Sequence, residues 1–208
     1  MVNVLSKIES VILGMFFGFV APVFCFLATL VSASIFFGVK AIGPWALWSL
    51  VPGIIIDIVF LKKWVSTAYR INNKALAAIY LFYSVVALGM GMGVPILNLA
   101  LGITAGIYSA RRMRFAGADE ERRKQYFKKT AVFCAVVMAL MCCLITLWAI
   151  AGQMIGYRFE TPWISLTLTV PTFFAIVLIG GAALVLLQYW LTRLSARIML
   201  RLSGVSRD

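Results

Sequence analysis

Asp57 is the one acidic residue inside an apolar stretch of this chain, in the run Ile54-Ile55-Ile56-Asp57-Ile58-Val59. A carboxylate set in hydrocarbon is costly, and its usual uses are as an ion ligand, a proton carrier or the counter-charge of a substrate. It stands five residues before Lys62, about 7.5 Å along a helix at roughly 1.5 Å per residue. The same position therefore suits an ion pair with Lys62, Lys63, Arg111 or Arg112 that locks two helices together. A second candidate lies in Gly89-Met90-Gly91-Met92-Gly93-Val94-Pro95, followed by Asn98. A glycine-rich turn at membrane depth needs protein or a water-filled cavity over its bare backbone. Broken helices of that kind build substrate and ion sites, with a half-helix N-terminus facing the bound group. Gly91, Gly93, Pro95 and Asn98 are thus the expected contacts. The competing reading is a tight external turn, because GxxxG spacing recurs at Gly14 and Gly18, Gly102 and Gly106, and Gly152 and Gly156 and marks close helix packing.

The chain contains no histidine, which removes the commonest general acid/base and the commonest transition-metal ligand. Its four cysteines, Cys25, Cys134, Cys142 and Cys143, fall in apolar runs and read as small buried hydrophobes. With no paired carboxylates inside the apolar segments there is little to catalyse with. No enzyme activity, no cofactor and no metal site is expected. Gln153 and Gln188 fall near the ends of their predicted helices, where an amide can reach headgroups. Tyr80, Tyr83, Ser84, Thr104 and Tyr108 line a polar path on one reading and anchor at an interface on the other.

The elements that must carry these residues are membrane spans. Of the 208 residues, 63% are hydrophobic and 12% charged, about half the charged fraction of a soluble domain. The uncharged run 75–110 is 36 residues long, too long for one crossing of about 20 residues, and splits at the glycine-rich turn. The result is an all-α polytopic bundle of six transmembrane helices in three hairpins, with spans near 8–37, 44–61, 75–91, 95–110, 130–156 and 162–191. Loop charge tests the split: 17 of the 19 basic residues fall on one side, against only Lys40 and Arg158 on the other. The positive-inside rule makes that side, and both termini, cytoplasmic. Asn72 or Asn73 can cap the third span. Pro44, Pro95 and Pro162 each open a span, while Pro22, Pro52 and Pro171 lie inside spans and are expected to kink them.

Residues 118–129 read as a cytoplasmic extension of the fifth span, with acids at its start and Glu120 and Lys124 spaced i,i+4. Residues 1–192 form the membrane domain, and 193–208 form a basic amphipathic tail that lies along anionic lipid. Arg111, Arg112, Arg193, Arg197 and Arg201 are the expected headgroup contacts, each contributing about 1 kcal/mol. The net charge of +12 is chiefly a record of orientation, and no nucleic-acid partner is expected. The reading this supports is a small-solute or ion transporter or channel of the cell membrane, plasma or inner, with its site near the hairpin of the third and fourth spans. The alternative is a non-transporting subunit or scaffold that binds partner helices, a second copy or a cytoplasmic protein.

Overall fold

The computed structural model describes residues 18, 20–36, 48–90, 95–151, 158–160, 165–167 and 169–204. Among them the chain is helical except for one short ribbon, and it divides into two units, residues 1–79 and 80–208. In the first unit, α1 (Val20–Phe36) packs on α2 (Leu50–Thr67). Their crossing is close because Gly53 lies against the backbone of Pro22, where a Cβ would come within 2.7 Å of the Pro22 nitrogen and 3.0 Å of the Ala21 carbonyl carbon. Ser49 is a turn residue directly ahead of α2, and Pro52 falls in the first turn of α2, where its missing N–H is no loss. A single 3-10 turn, Ala68–Arg70, leads to α3 (Asn73–Met90). Asn72 caps α3, its Oδ1 accepting from the Lys74 N–H at 3.2 Å.

The second unit takes up the rest of α3, then α4 (Ile96–Phe115) and α5 (Glu120–Ala151). Pro95 stands at the N-cap of α4. Between α4 and α5 the Ala118 N–H reaches the Met113 carbonyl and the Gly117 N–H the Arg114 carbonyl, with Gly117 at φ 61°. This is a Schellman turn, and its left-handed residue requires glycine. The predicted extension of the fifth span is present, since α5 is one helix of 32 residues beginning at Glu120, tied in its first turn by Lys124 Nζ to Glu120 Oε1 at 2.6 Å.

The last span differs from the expectation. Strands β1 (Arg158–Glu160) and β2 (Ser165–Thr167) pair antiparallel, Arg158 opposite Thr167. Ser165-Leu166-Thr167 continues as Leu168-Thr169-Val170, an alternation of polar and apolar residues that suits a strand better than a helix. The helix consequently starts at Val170 rather than at residue 162, as α6 (Val170–Ala175). Pro171 occupies its first turn, where its missing N–H is no loss, so the kink expected there does not arise. A π-helical turn, Ile176–Gly180, carries the chain into α7 (Gly181–Gly204). The boundary expected at residue 193 is likewise absent. Ala196 is buried with Ala110 and Phe127, and Met199 and Leu200 pack against them with Met113 and Tyr126. The basic tail is thus a continuation of α7 held on α4 and α5.

Among the described residues, two stretches are long and apolar enough to cross a membrane, Glu120–Ala151 and Val170–Arg201, each of 32 residues. Their outward faces carry Leu140, Leu144, Leu147, Trp148, Leu178, Ile179, Leu186 and Trp190, every one more than half exposed. The interior of the same unit is a mainly apolar core that also encloses Ser84, Asn98, Gln188 and Thr192 fully.

Candidate functional site

The enclosed polar residues come together where α3, α4 and α7 meet. On α4 the buried positions Asn98, Gly102, Gly106, Ser109 and Ala110 recur every three to four residues and so share one face. Facing them on α7 are Gln188, Thr192, Ser195 and Ala196. A Cβ on Gly102 would come within 2.7 Å of Gln188 Cδ and 2.9 Å of Thr192 Oγ1, and one on Gly106 would run into Ser195 Oγ and the Thr192 carbonyl oxygen. Residue numbers rise together along this contact, so α4 and α7 run parallel. The Gly102–Gly106 spacing is the seam between these two helices, as GxxxG spacing leads one to expect.

Gln188 is the hub. Its Nε2 donates to the Tyr80 hydroxyl at 2.9 Å and to the Asn98 backbone carbonyl at 3.1 Å. A carbonyl only accepts, so this contact fixes which end of the amide is nitrogen. Both Nε2 hydrogens are then used, and Oε1 is left buried without a partner. Asn98 is 1% exposed, and neither its Nδ2 nor its Oδ1 has a partner. Ser84, one helical turn beyond Tyr80, has its Oγ buried in the same condition. Other hydroxyls nearby are spent on their own helices: Thr192 Oγ1 on the Gln188 carbonyl at 2.8 Å, Ser195 Oγ on Thr192 at 3.0 Å, Ser109 Oγ on Gly106 at 2.8 Å. Tyr80 is walled on its other side by Cys134, Val137 and Met141, with Leu88, Leu101, Ala105 and Phe133 around them. None of these neighbours is charged. An unsatisfied buried polar group costs roughly 1–3 kcal/mol, so the partnerless atoms of Asn98, Gln188 and Ser84 are a concentration of polar cost in this unit.

Of the expected contacts, Pro95 is buried at the head of α4 and Asn98 lies in the cluster. Gly91 and Gly93 lie outside the described residues, as do Gly14, Gly152, Gly156 and Pro162. Asp57 belongs to the other unit, on the α1-facing side of α2 one turn past Gly53; it is 8% exposed and its Oδ1 has no partner. Gln188, placed by the sequence near a helix end within reach of headgroups, is fully buried instead. Tyr80, read as either path or anchor, is a buried hydrogen-bonding partner. What hid Gln188 was the assumed helix end at residue 192: with α7 running to Gly204, it sits well inside the helix. The spacing Gln188, Thr192, Ser195 opposite Asn98, Gly102, Gly106 is the sequence signal that marks the seam.

The basic residues near the expected headgroup level divide into two kinds. Arg112 Nη1 donates to the Tyr126 hydroxyl at 3.1 Å and Arg193 Nη1 to the Tyr189 hydroxyl at 2.9 Å, each guanidinium lying about over the partner ring. Arg111 is half-buried, whereas Arg197 and Arg201 are exposed. Groups of three or more potential metal ligands are absent among the described residues. Comparisons with protein-family models, with curated proteins and with solved structures return no match.

Proposed function

We propose that this chain is a multi-pass protein of the cell membrane that moves a small solute through the second unit, with Asn98 and Gln188 as its principal contacts. The observation that carries the reading is the buried amide pair itself. Three amide atoms stand without partners between three helices whose outer surfaces are apolar, and polar groups so placed in a membrane bundle mark a pathway by default. Six crossings follow from joining the two long apolar helices to the uncharged runs before them and to the one-sided distribution of basic residues. The parallel course of α4 and α7 supports the alternation, because α5 must then run back between them. The exposed Arg197 and Arg201 supply contacts to anionic headgroups, while Arg112 is held to Tyr126 near the end of α4 and Arg193 to Tyr189 within α7.

Asp57, in the first unit, is a separate candidate contact and serves as the comparison. The test is a flux survey in reconstituted vesicles with the purified wild-type chain, Gln188→Leu and Asp57→Asn. Transport predicts a wild-type flux that Gln188→Leu reduces at least tenfold and Asp57→Asn reduces less. A scaffold predicts vesicles no leakier than protein-free ones, and that result refutes the reading.

A further inference from the structure

We infer that the guest of the Asn98–Gln188 site is a small uncharged molecule carrying at least two hydrogen-bond donors and one acceptor, such as a small amide or polyol. The inference rests on the transport reading above and specifies its substrate class. The unfilled atoms define a pattern: Asn98 Oδ1 and Gln188 Oε1 accept, Asn98 Nδ2 donates, and Ser84 Oγ does either. Its complement is a molecule that offers two N–H or O–H groups and one oxygen. Reversing the Asn98 amide leaves the pattern intact, since both of its atoms are free. The Gln188 amide is held in one orientation by the Asn98 carbonyl.

Charge argues the same way. Tyr80 sits in an apolar cluster with Cys134, Val137 and Met141, and the Gln188 amide lies against Gly102; all of these are neutral. On the helices that form the site, charged side chains begin only at Lys74, Arg111, Lys129 and Arg193. An ion brought in without a counter-charge loses hydration worth several kcal/mol, and two amide oxygens and one hydroxyl replace little of it. A neutral donor–acceptor molecule loses less and offers the amide atoms the partners they lack. Gly102 leaves the room in which the Gln188 amide lies, since any side chain there would displace it.

Vesicles holding the full chain are loaded and shifted into iso-osmotic urea or glycerol, and swelling is followed by light scattering. Ionic current is recorded in the same preparation with Na+, K+ and Cl−. The expected result is swelling in urea or glycerol at least tenfold faster than in protein-free vesicles, unchanged by an imposed K+ diffusion potential, with no ionic current. Asn98→Leu abolishes the swelling, and Asn98→Gln, which keeps the amide, restores part of it. An ionic current that Asn98→Leu removes overturns the substrate class and leaves transport standing. Vesicles that pass neither solutes nor ions overturn both.

Discussion

Gly102 and Gly106 are alike in sequence but differ in what an added methyl group would meet. At Gly102 it meets the end of a side chain, the Gln188 amide; at Gly106 it meets the main-chain carbonyl of Thr192 as well as Ser195 Oγ. Gly106→Ala should therefore cost about 1–3 kcal/mol of bundle stability, the usual toll of overpacking, and Ser195→Ala should not recover it. Gly102→Ala should be largely relieved when combined with Gln188→Ala, a coupling of about 0.5–3 kcal/mol. Denaturant titration of the single and double variants in detergent micelles reads both. At the other end of the unit, Lys124 holds the Glu120 carboxyl below its ordinary 4.5. A depressed carboxyl lends stability above its ordinary value and loses it as pH falls through the lowered one. Amide exchange in the first turn of α5 should accelerate only below about pH 4.5, and Glu120→Gln should remove that pH dependence. The residue-level chemistry was partly legible: Asn98 and Pro95 were read from a glycine-rich turn, and the Gly102–Gly106 seam from spacing alone. Gln188 was not, because its depth depends on where a helix ends.

That helix end is the element-scale lesson. Three arginines spaced every four residues with Leu194, Ile198 and Leu202 on another face suggested a helix lying on a surface. The side that meets α4 and α5 is a different one, carrying Ala196, Met199 and Leu200, while Ile198 of the expected face is exposed. Periodicity shows that a helix has an apolar side and does not show what covers it. Truncation after Arg193 should accordingly unfold or aggregate the second unit, seen as loss of the cooperative melting transition, whereas a tail resting on lipid would be dispensable. The start of the last span was misread for a related reason. Pro162 and Pro171 both resemble helix openers, and only the polar–apolar alternation from Ser165 to Val170 shows that the later one is used.

At the largest scale, the described residues of the second unit carry large apolar side chains on their surface and enclose several polar ones. Leu178, Ile179, Leu186 and Trp190 stand outward on the last helix while Gln188, on the same helix, is enclosed. Composition made a helical protein with long apolar helices legible at once, and the basic residues suggest the direction proposed for it; neither indicated which helices touch. The six-crossing topology predicts that single cysteines introduced into a cysteine-free background at Lys74, Ala116 and Arg201 are shielded from an impermeant maleimide in intact cells. One at Trp45 or Arg158 should react. The central claim, that the buried amides of Asn98 and Gln188 are where the solute is held, is tested most directly by one rate. It is the initial flux, in vesicles, of whichever of urea, glycerol, Na+, K+ or Cl− the wild-type chain passes fastest, compared with Asn98→Leu of unchanged melting temperature. A fall of at least tenfold is predicted; an unchanged rate in a folded Asn98→Leu protein would contradict the account.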